Sequence, residues 1–292
     1  MKLSIAAKFN VVFLAIFGIG FAAASVVTNY LLQENAREET LQSARVLMQA
    51  ATAARAYTSG QIVPLLQTRL KYEFLPQSIP SYAATEHLNT LLKSYPEFSY
   101  KEATLNPTNL RDRASDWEAD LVNNLRANPA TAELVGQRAT STGPSLYVAR
   151  PLQIKNAACL ACHSVPDAAP KTMLDIYGRN NGFGWKHMEI IGAQVVSVPM
   201  TVPLKRASNM LNTYMLSTLG IFVFLFVALN IMVHLFVTRR ITQMSRLADQ
   251  VSLGEFNAEE FDVKGDDELS TLARSFGRMR TSLVSAMKML EE

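Results

Sequence analysis

A chain of 292 residues has room for about two domains at ~150 residues each. With 49% hydrophobic and 18% charged residues and a formal net charge of +3, it is too apolar for a disordered chain and too weakly basic for a nucleic-acid partner. A mean hydropathy of +0.08 directs attention to membrane segments, and two cysteines exclude a disulfide-rich scaffold.

Lys2 and Lys8 precede an uncharged stretch, Phe9 to Gln33, whose centre reads VVFLAIFGIGFAAASVV. At about 1.5 Å per residue it is long enough to cross a hydrocarbon core of ~30 Å. The lysines before it, and Glu34, Glu38 and Glu39 after it, predict a cytoplasmic N-terminus over residues 1–8 and a first transmembrane helix over 9–32. Ala22-Ala23-Ala24 also satisfies a small-x-small cleavage site. The apolar run continues through Val26, Val27, Leu31 and Leu32, which favours a retained anchor over a removed signal peptide. Either way the following segment, 33–206, is exported.

Within that segment Glu34 to Tyr57 lacks Pro and Gly and predicts a helix, interrupted by Gly60 and Pro64. A second helix is expected over Tyr82 to Ser94, an extended stretch over Ser99 to Leu105, and a turn at Asn106-Pro107-Thr108-Asn109. A helix over Arg111 to Arg126 follows, then strands over Ser145 to Ile154 and Ala193 to Val198. The fold class is therefore α+β, a small antiparallel sheet flanked by helices.

Both cysteines fall in Cys159-Leu160-Ala161-Cys162-His163. CxxCH is the attachment pattern for haem c: two thiols on one turn reach the two vinyl groups of a porphyrin, and the adjacent His163 offers its imidazole to the iron as proximal ligand. The rival readings are weaker. A structural zinc needs four ligands, which only His87 or His187 could complete, a thioredoxin-like pair wants a βαβ context, and a plain disulfide leaves His163 unexplained. Haem c is attached outside the bacterial cytoplasm, in agreement with export.

The segment Ala149 to Met200, with CLACH followed by YGRNNGFGW, resembles the C-terminal half of the membrane-anchored haem c sensor domain with a PAS-like fold. Ser94 to Glu118 resembles its middle, and the resemblance covers about residues 40–202. It implies one covalent haem c on Cys159, Cys162 and His163. Some relatives supply a cysteine as second axial ligand, which a chain with two cysteines cannot do. The sixth position is open to His187 or His87, to Met173, Met188 or Met200, to Tyr57, to water, or to a diatomic gas. Arg150 and Lys155 flank the motif and are candidates for the haem propionates. Trp117, Tyr147, Phe183 and Trp185 are expected in the core, and Gly178 to Gly184 as a loop passing close to the porphyrin.

Between Arg206 and Arg239 there is no Lys, Arg, Asp or Glu, which predicts a second transmembrane helix over 212–237 and a cytoplasmic exit at Arg239-Arg240. His234 lies near that exit, where an interfacial role is expected. In the tail, 238–292, Ile241, Met244, Ala248 and Val251 line one helix that Gly254 ends, and Glu255 to Gly265 connects, pinned by Phe256, Phe261 and Val263. A second helix starts at Asp266-Asp267-Glu268 and carries Leu269, Leu272, Phe276, Met279, Leu283, Ala286 and Leu290 at heptad spacing, a seam that one helix cannot satisfy. This resembles the HAMP signal-relay module, with Met244 where a proline is common and Ser270 where a glycine often follows the acidic pair. The resemblance implies a parallel four-helix bundle in a homodimer.

No kinase, cyclase or methyl-accepting segment precedes Glu292, so the expected effector is a separate cytoplasmic protein such as a kinase or cyclase. Anchor, haem domain, anchor and relay in that order predict a two-pass receptor of the bacterial inner membrane, bathed by membrane lipid, that senses redox state or a diatomic gas in the periplasm. The alternative is a membrane-tethered c-type cytochrome that exchanges electrons with a redox partner. An enzyme is not expected, since no distal acid–base residues are identifiable.

Overall fold

Ile190–Pro199, IIGAQVVSVP, is apolar on both sides of its alternation, so it seeks cover on two faces and becomes a central strand. In the computed structural model, which describes residues 4–255 and 265–291, it lies in a four-stranded antiparallel sheet. The strands β1 (Ser99–Thr104), β2 (Leu134–Thr140), β3 (Gly143–Gln153) and β4 (Ile190–Pro199) are ordered β1-β4-β3-β2. The helices are α1 (Ile5–Tyr57), α2 (Val63–Leu70), α3 (Pro80–Leu92), α4 (Asp116–Ala127), α5 (Leu160–His163), α6 (Lys171–Tyr177), α7 (Thr201–Val233), α8 (Arg239–Ser252) and α9 (Glu268–Glu291). The chain divides into one unit of Asn29–Leu211 and another of Met1–Thr28 with Asn212–Glu292. The mixture of helix and sheet is the one expected.

In the first unit, one face of the sheet turns Tyr100, Leu146, Val148, Val196 and Val198 toward Ala44, Met48 and Ala51 of α1 and Ala84 and Leu88 of α3. The opposite face turns Ala103, Ala149, Ala193 and Val195 toward Leu121, Val122 and Leu125 of α4. Fully burying a side chain the size of Leu or Val stabilises by about 1.5–3 kcal/mol, so these two layers supply the main favourable term.

Besides the short helices α5 and α6, which the sequence reading did not include, three elements differ from it. The helix expected over Arg111 to Arg126 is divided into a 3-10 turn, Leu110–Asp112, and α4, because Ser115 and Glu118 form a capping box that starts a helix at Asp116. Gly60 and Pro64 open no loop: a π-turn, Thr58–Ile62, leads from α1 into α2, where Pro64 occupies the first turn and its missing N–H is not needed. Strand β2 is an addition. Its half-exposed LVGQRAT sits at the sheet edge and earns its strand from pairing with β3.

Polar groups tie α1 to this sheet. Arg55 donates to Oε1 of the buried Glu102 at 2.6 Å, Tyr100 Oη donates to the same oxygen at 2.8 Å, and Gln194 Nε2 donates to Tyr100 Oη at 3.0 Å. Burial, then the neighbouring Glu102, raises the Tyr100 phenol far above its ordinary value, so it remains a donor. Arg45 of α1 and Arg150 of β3 share Glu133, with contacts of 2.9–3.0 Å. Burial alone would raise that carboxyl, but the hydrogen bonds from Arg150 and Arg45 outweigh it and hold Glu133 below the usual carboxylate range.

In the second unit, Phe17 of α1 meets Phe222 of α7 edge-on at 4.3 Å, and Phe13 meets Phe226 at 5.6 Å. Both helices are long and apolar enough to cross a membrane. Gly254 follows the end of α8, as expected, and Asp267 caps α9 by accepting from Ser270 N at 2.7 Å. Arg240 at the start of α8 donates to Asp267 at 2.9 Å, which aligns the beginnings of the two helices. The predicted pins Phe256, Phe261 and Val263 lie outside the described residues. On α9 it is Ser270 and Ala273 that are buried, while Leu272, Met279 and Leu283 of the heptad seam are exposed.

Removing the carboxylate that anchors α1 to β1 leaves a cation facing the core. Glu102→Ala is expected to cost about 2–3 kcal/mol, below the ~3–5 of a fully buried pair, because Arg55 keeps 31% of its side chain in solvent. Urea unfolding of the detergent-solubilised chain measures it, and a loss under about 0.5 kcal/mol would mean that the pair behaves as a surface contact.

Candidate functional site

Asn156 starts the motif by accepting from Ala158 N at 2.9 Å, which folds Ala157–Cys159 into a 3-10 turn that runs directly into α5. On such a turn positions three and four apart share a face, so Cys159, Cys162 and His163 emerge on one side. Both thiols are unpaired and half-buried. Burial, then the neighbouring Cys159, pushes the Cys162 thiol up, so it is held protonated.

His163 is the most constrained side chain of the three. Its Nδ1 lies 2.8 Å from the Gly182 carbonyl oxygen, and since a carbonyl only accepts, Nδ1 carries the proton and Nε2 the lone pair. Thr108 Oγ1 lies 3.4 Å from the same nitrogen. The imidazole stacks on the Trp185 indole with centroids 4.0 Å apart and planes 17° from parallel. Burial lowers the imidazole's pKa more than the Gly182 carbonyl raises it, which keeps the ring neutral and able to ligate at neutral pH.

The loop that supplies this carbonyl is stitched on two sides. Trp185 N donates to His163 O at 3.2 Å and Gly184 N to Ser164 O at 2.9 Å. From the Asn106–Asn109 turn, Asn106 Oδ1 accepts from Gly182 N at 3.1 Å and its Nδ2 donates to Phe183 O at 3.2 Å. Gly182 has φ +82°, and a Cβ there would lie 2.8 Å from the Thr108 Cα, so glycine is required for the loop to approach the turn.

Tested against a covalent haem, these residues fit. A haem asks for two free thiols on one turn, and for a histidine whose Nδ1 is tied to a carbonyl so that Nε2 faces the iron. A shared zinc would need the two sulfurs and the imidazole to converge. Among the described residues no group of three or more His, Cys, Asp or Glu could hold a metal ion. Trp185 Nε1 is buried with no hydrogen-bond partner, a cost of about 1–3 kcal/mol for a chain with nothing bound there.

The other predicted residues are placed as follows. Arg150 lies in the Glu133 cluster with Arg45, and Lys155 is exposed. His187 is exposed, with Nε2 3.2 Å from the Lys155 carbonyl, and His87 is exposed on α3. Met173 is buried on α6, Met200 lies in the core with α1 and α3, and Met188 and Tyr57 are exposed. Trp117 and Tyr147 pack on the α4 side of the sheet, as expected, whereas Trp185 stacks on His163. Asn106 and Thr108 were expected only as part of a turn and Gly182 only as part of a loop near the porphyrin, so their contacts with each other and with His163 were not foreseen. The signal was present in the two asparagines of the NPTN turn and in the glycines of NNGFGW, but nothing in the spacing joins segments 76 residues apart.

A family model described as Tll0287-like matches residues 33–199, and the HAMP domain model matches 227–285. Among solved structures, the crystal structure of the cyanobacterial heme-protein Tll0287 is similar at 14% identity and a TM-score of 0.43, covering 55% of this chain and 95% of that chain. No curated protein matches.

Gly182→Ala is expected to strain the backbone by about 1–3 kcal/mol and shift the carbonyl away from His163 Nδ1, with loss of haem content read by pyridine haemochrome per mole of chain. Gly184, at φ +80° with nothing within 4 Å of a Cβ, is the control. Equal haem content in Gly182→Ala and Gly184→Ala would show that the Thr108 contact does not position the histidine.

Proposed function

Because the chain belongs to the Tll0287-like family, we propose that it is a transmembrane receptor that senses redox state or a diatomic gas through one covalent haem c and relays the state through a HAMP module. The observation that carries this reading is the tethering of the His163 Nδ1 proton to the Gly182 carbonyl beside two free thiols, in the same chain as a HAMP domain.

In this reading residues 33–206 are periplasmic, 9–32 and 212–237 cross the inner membrane, and 238–292 are cytoplasmic. Cys159 and Cys162 would hold the haem as two thioethers, each S–H adding across a vinyl C=C with sulfur bonded to one carbon and hydrogen to the other, and His163 would face its iron. The haem, when bound, supplies an iron that changes charge or takes a gas. The chain's own part is to hold His163 Nε2 in one direction. Gly182 O fixes the tautomer, Trp185 fixes the ring plane, and Asn106 fixes the loop that carries both. His187 or His87 remains the proposed distal ligand, and Arg150 and Lys155 the proposed propionate contacts.

The exposed Leu272, Met279 and Leu283 support a second copy of the chain as the partner that completes the relay bundle. A separate effector such as a kinase or cyclase would then read two packings of that bundle. The acidic–basic pair Arg240–Asp267 holds the start of α9 to α8 and is the natural pivot between them.

Intact mass of the purified chain is expected to show one haem, absent from Cys159→Ala with Cys162→Ala, and a Soret shift with CO or NO on the reduced protein. A haem-free mature chain overturns the proposal. A haem that neither binds gas nor changes relay crosslinking on reduction would make the chain a tethered electron carrier instead. In membranes, Leu272→Cys and Met279→Cys are expected to crosslink as dimers, and monomers alone would remove the relay.

A further inference from the structure

We propose that Trp185 grips the haem as well as the histidine, its indole N–H donating to a haem carboxylate; this rests on the haem reading above. Among the described residues, Trp185 Nε1 is the buried side-chain nitrogen left without a hydrogen-bond partner. An indole nitrogen only donates, so what completes it is an acceptor. The ring cannot turn to find one elsewhere, because its face lies on the His163 imidazole at 4.0 Å and its backbone N–H is bonded to His163 O at 3.2 Å. The acceptor therefore has to arrive beside the axial histidine.

A haem brings few acceptors to that place. Its pyrrole nitrogens are engaged by the iron, and its vinyl groups become thioethers, which leaves the two propionate carboxylates. Of the two cations proposed as propionate contacts, Arg150 also holds Glu133 and Lys155 is exposed, so Trp185 supplies a buried donor that they do not. A neutral indole N–H suits a carboxylate drawn out of water, where a donor already fixed in place loses no freedom on binding. Trp185 is thus a positioning residue with two contacts, a face for the imidazole and an edge for the porphyrin's acid group. Moving either the carboxylate or the histidine would be felt by the other through one rigid ring.

The test uses the full chain in detergent. The sequence holds two tryptophans, so Trp117→Phe leaves Trp185 as the sole indole. Its ultraviolet resonance Raman band for the indole N–H is expected to report a strong hydrogen bond in the haem-loaded chain and a free N–H when Cys159→Ala and Cys162→Ala are added. Trp185→Phe, which keeps a ring against His163, is expected to shift the propionate bending band of the haem and lower the midpoint potential. Losing the donor leaves more negative charge near the iron and so favours the ferric state. An N–H band that is the same with and without haem overturns the inference, as does a propionate band unmoved in Trp185→Phe. Absence of haem mass from the unaltered chain would instead overturn the underlying reading, so the two failures are told apart. If Trp185→Phe does not fold, the Trp117→Phe comparison decides alone.

Discussion

The hydrogen bond between His163 Nδ1 and the Gly182 carbonyl is the contact on which the site depends. It determines which imidazole nitrogen is free, and hence which one the histidine could offer to a metal. That carbonyl is held in place by backbone bonds from Gly184 and Trp185 to the α5 turn and by the Asn106 side chain. A single bond of this kind contributes little net stability. Its value here is directional, and a glycine loop supplies direction only because it is tied at several points.

The same logic of tying runs through the sheet. Asn106 and Thr108 follow directly after β1, the strand that also carries Glu102, and Glu102 receives Arg55 of α1. One short strand therefore touches the histidine's loop at one end and the helix that enters the domain at its middle. Buried ion pairs are poor sources of stability compared with apolar contacts, but they favour one register over its neighbours. Arg55–Glu102 and the shared Glu133 fix α1 against the sheet at two heights, where the small residues Ala44 and Ala51 alone would permit sliding.

The tail presents a complementary situation. Within one chain α8 and α9 bury Val251, Ser270 and Ala273, small surfaces that align two helices without filling a core. The large residues Leu272, Met279 and Leu283 are left outward. Heptad positions left outward in this way are a surface that one chain does not cover.

Much of this was legible in the sequence, because the signals are local. Charge-free stretches of sufficient length announce helices long and apolar enough to cross a bilayer, and CxxCH places three chemical groups on one turn by spacing alone. Strand β3 followed from alternation and β1 and β4 from short extended runs, whereas β2 did not, because its conformation is imposed by pairing with β3. The tertiary structure decided what long-range contacts decide. It gave Arg150 to Glu133, turned Trp185 onto His163, and brought an asparagine turn against a glycine loop. Spacing encodes which groups share a turn, since the backbone repeat is fixed. It does not encode which distant carbonyl a side chain will meet, since that is settled only when the sheet closes and every buried donor competes for an acceptor.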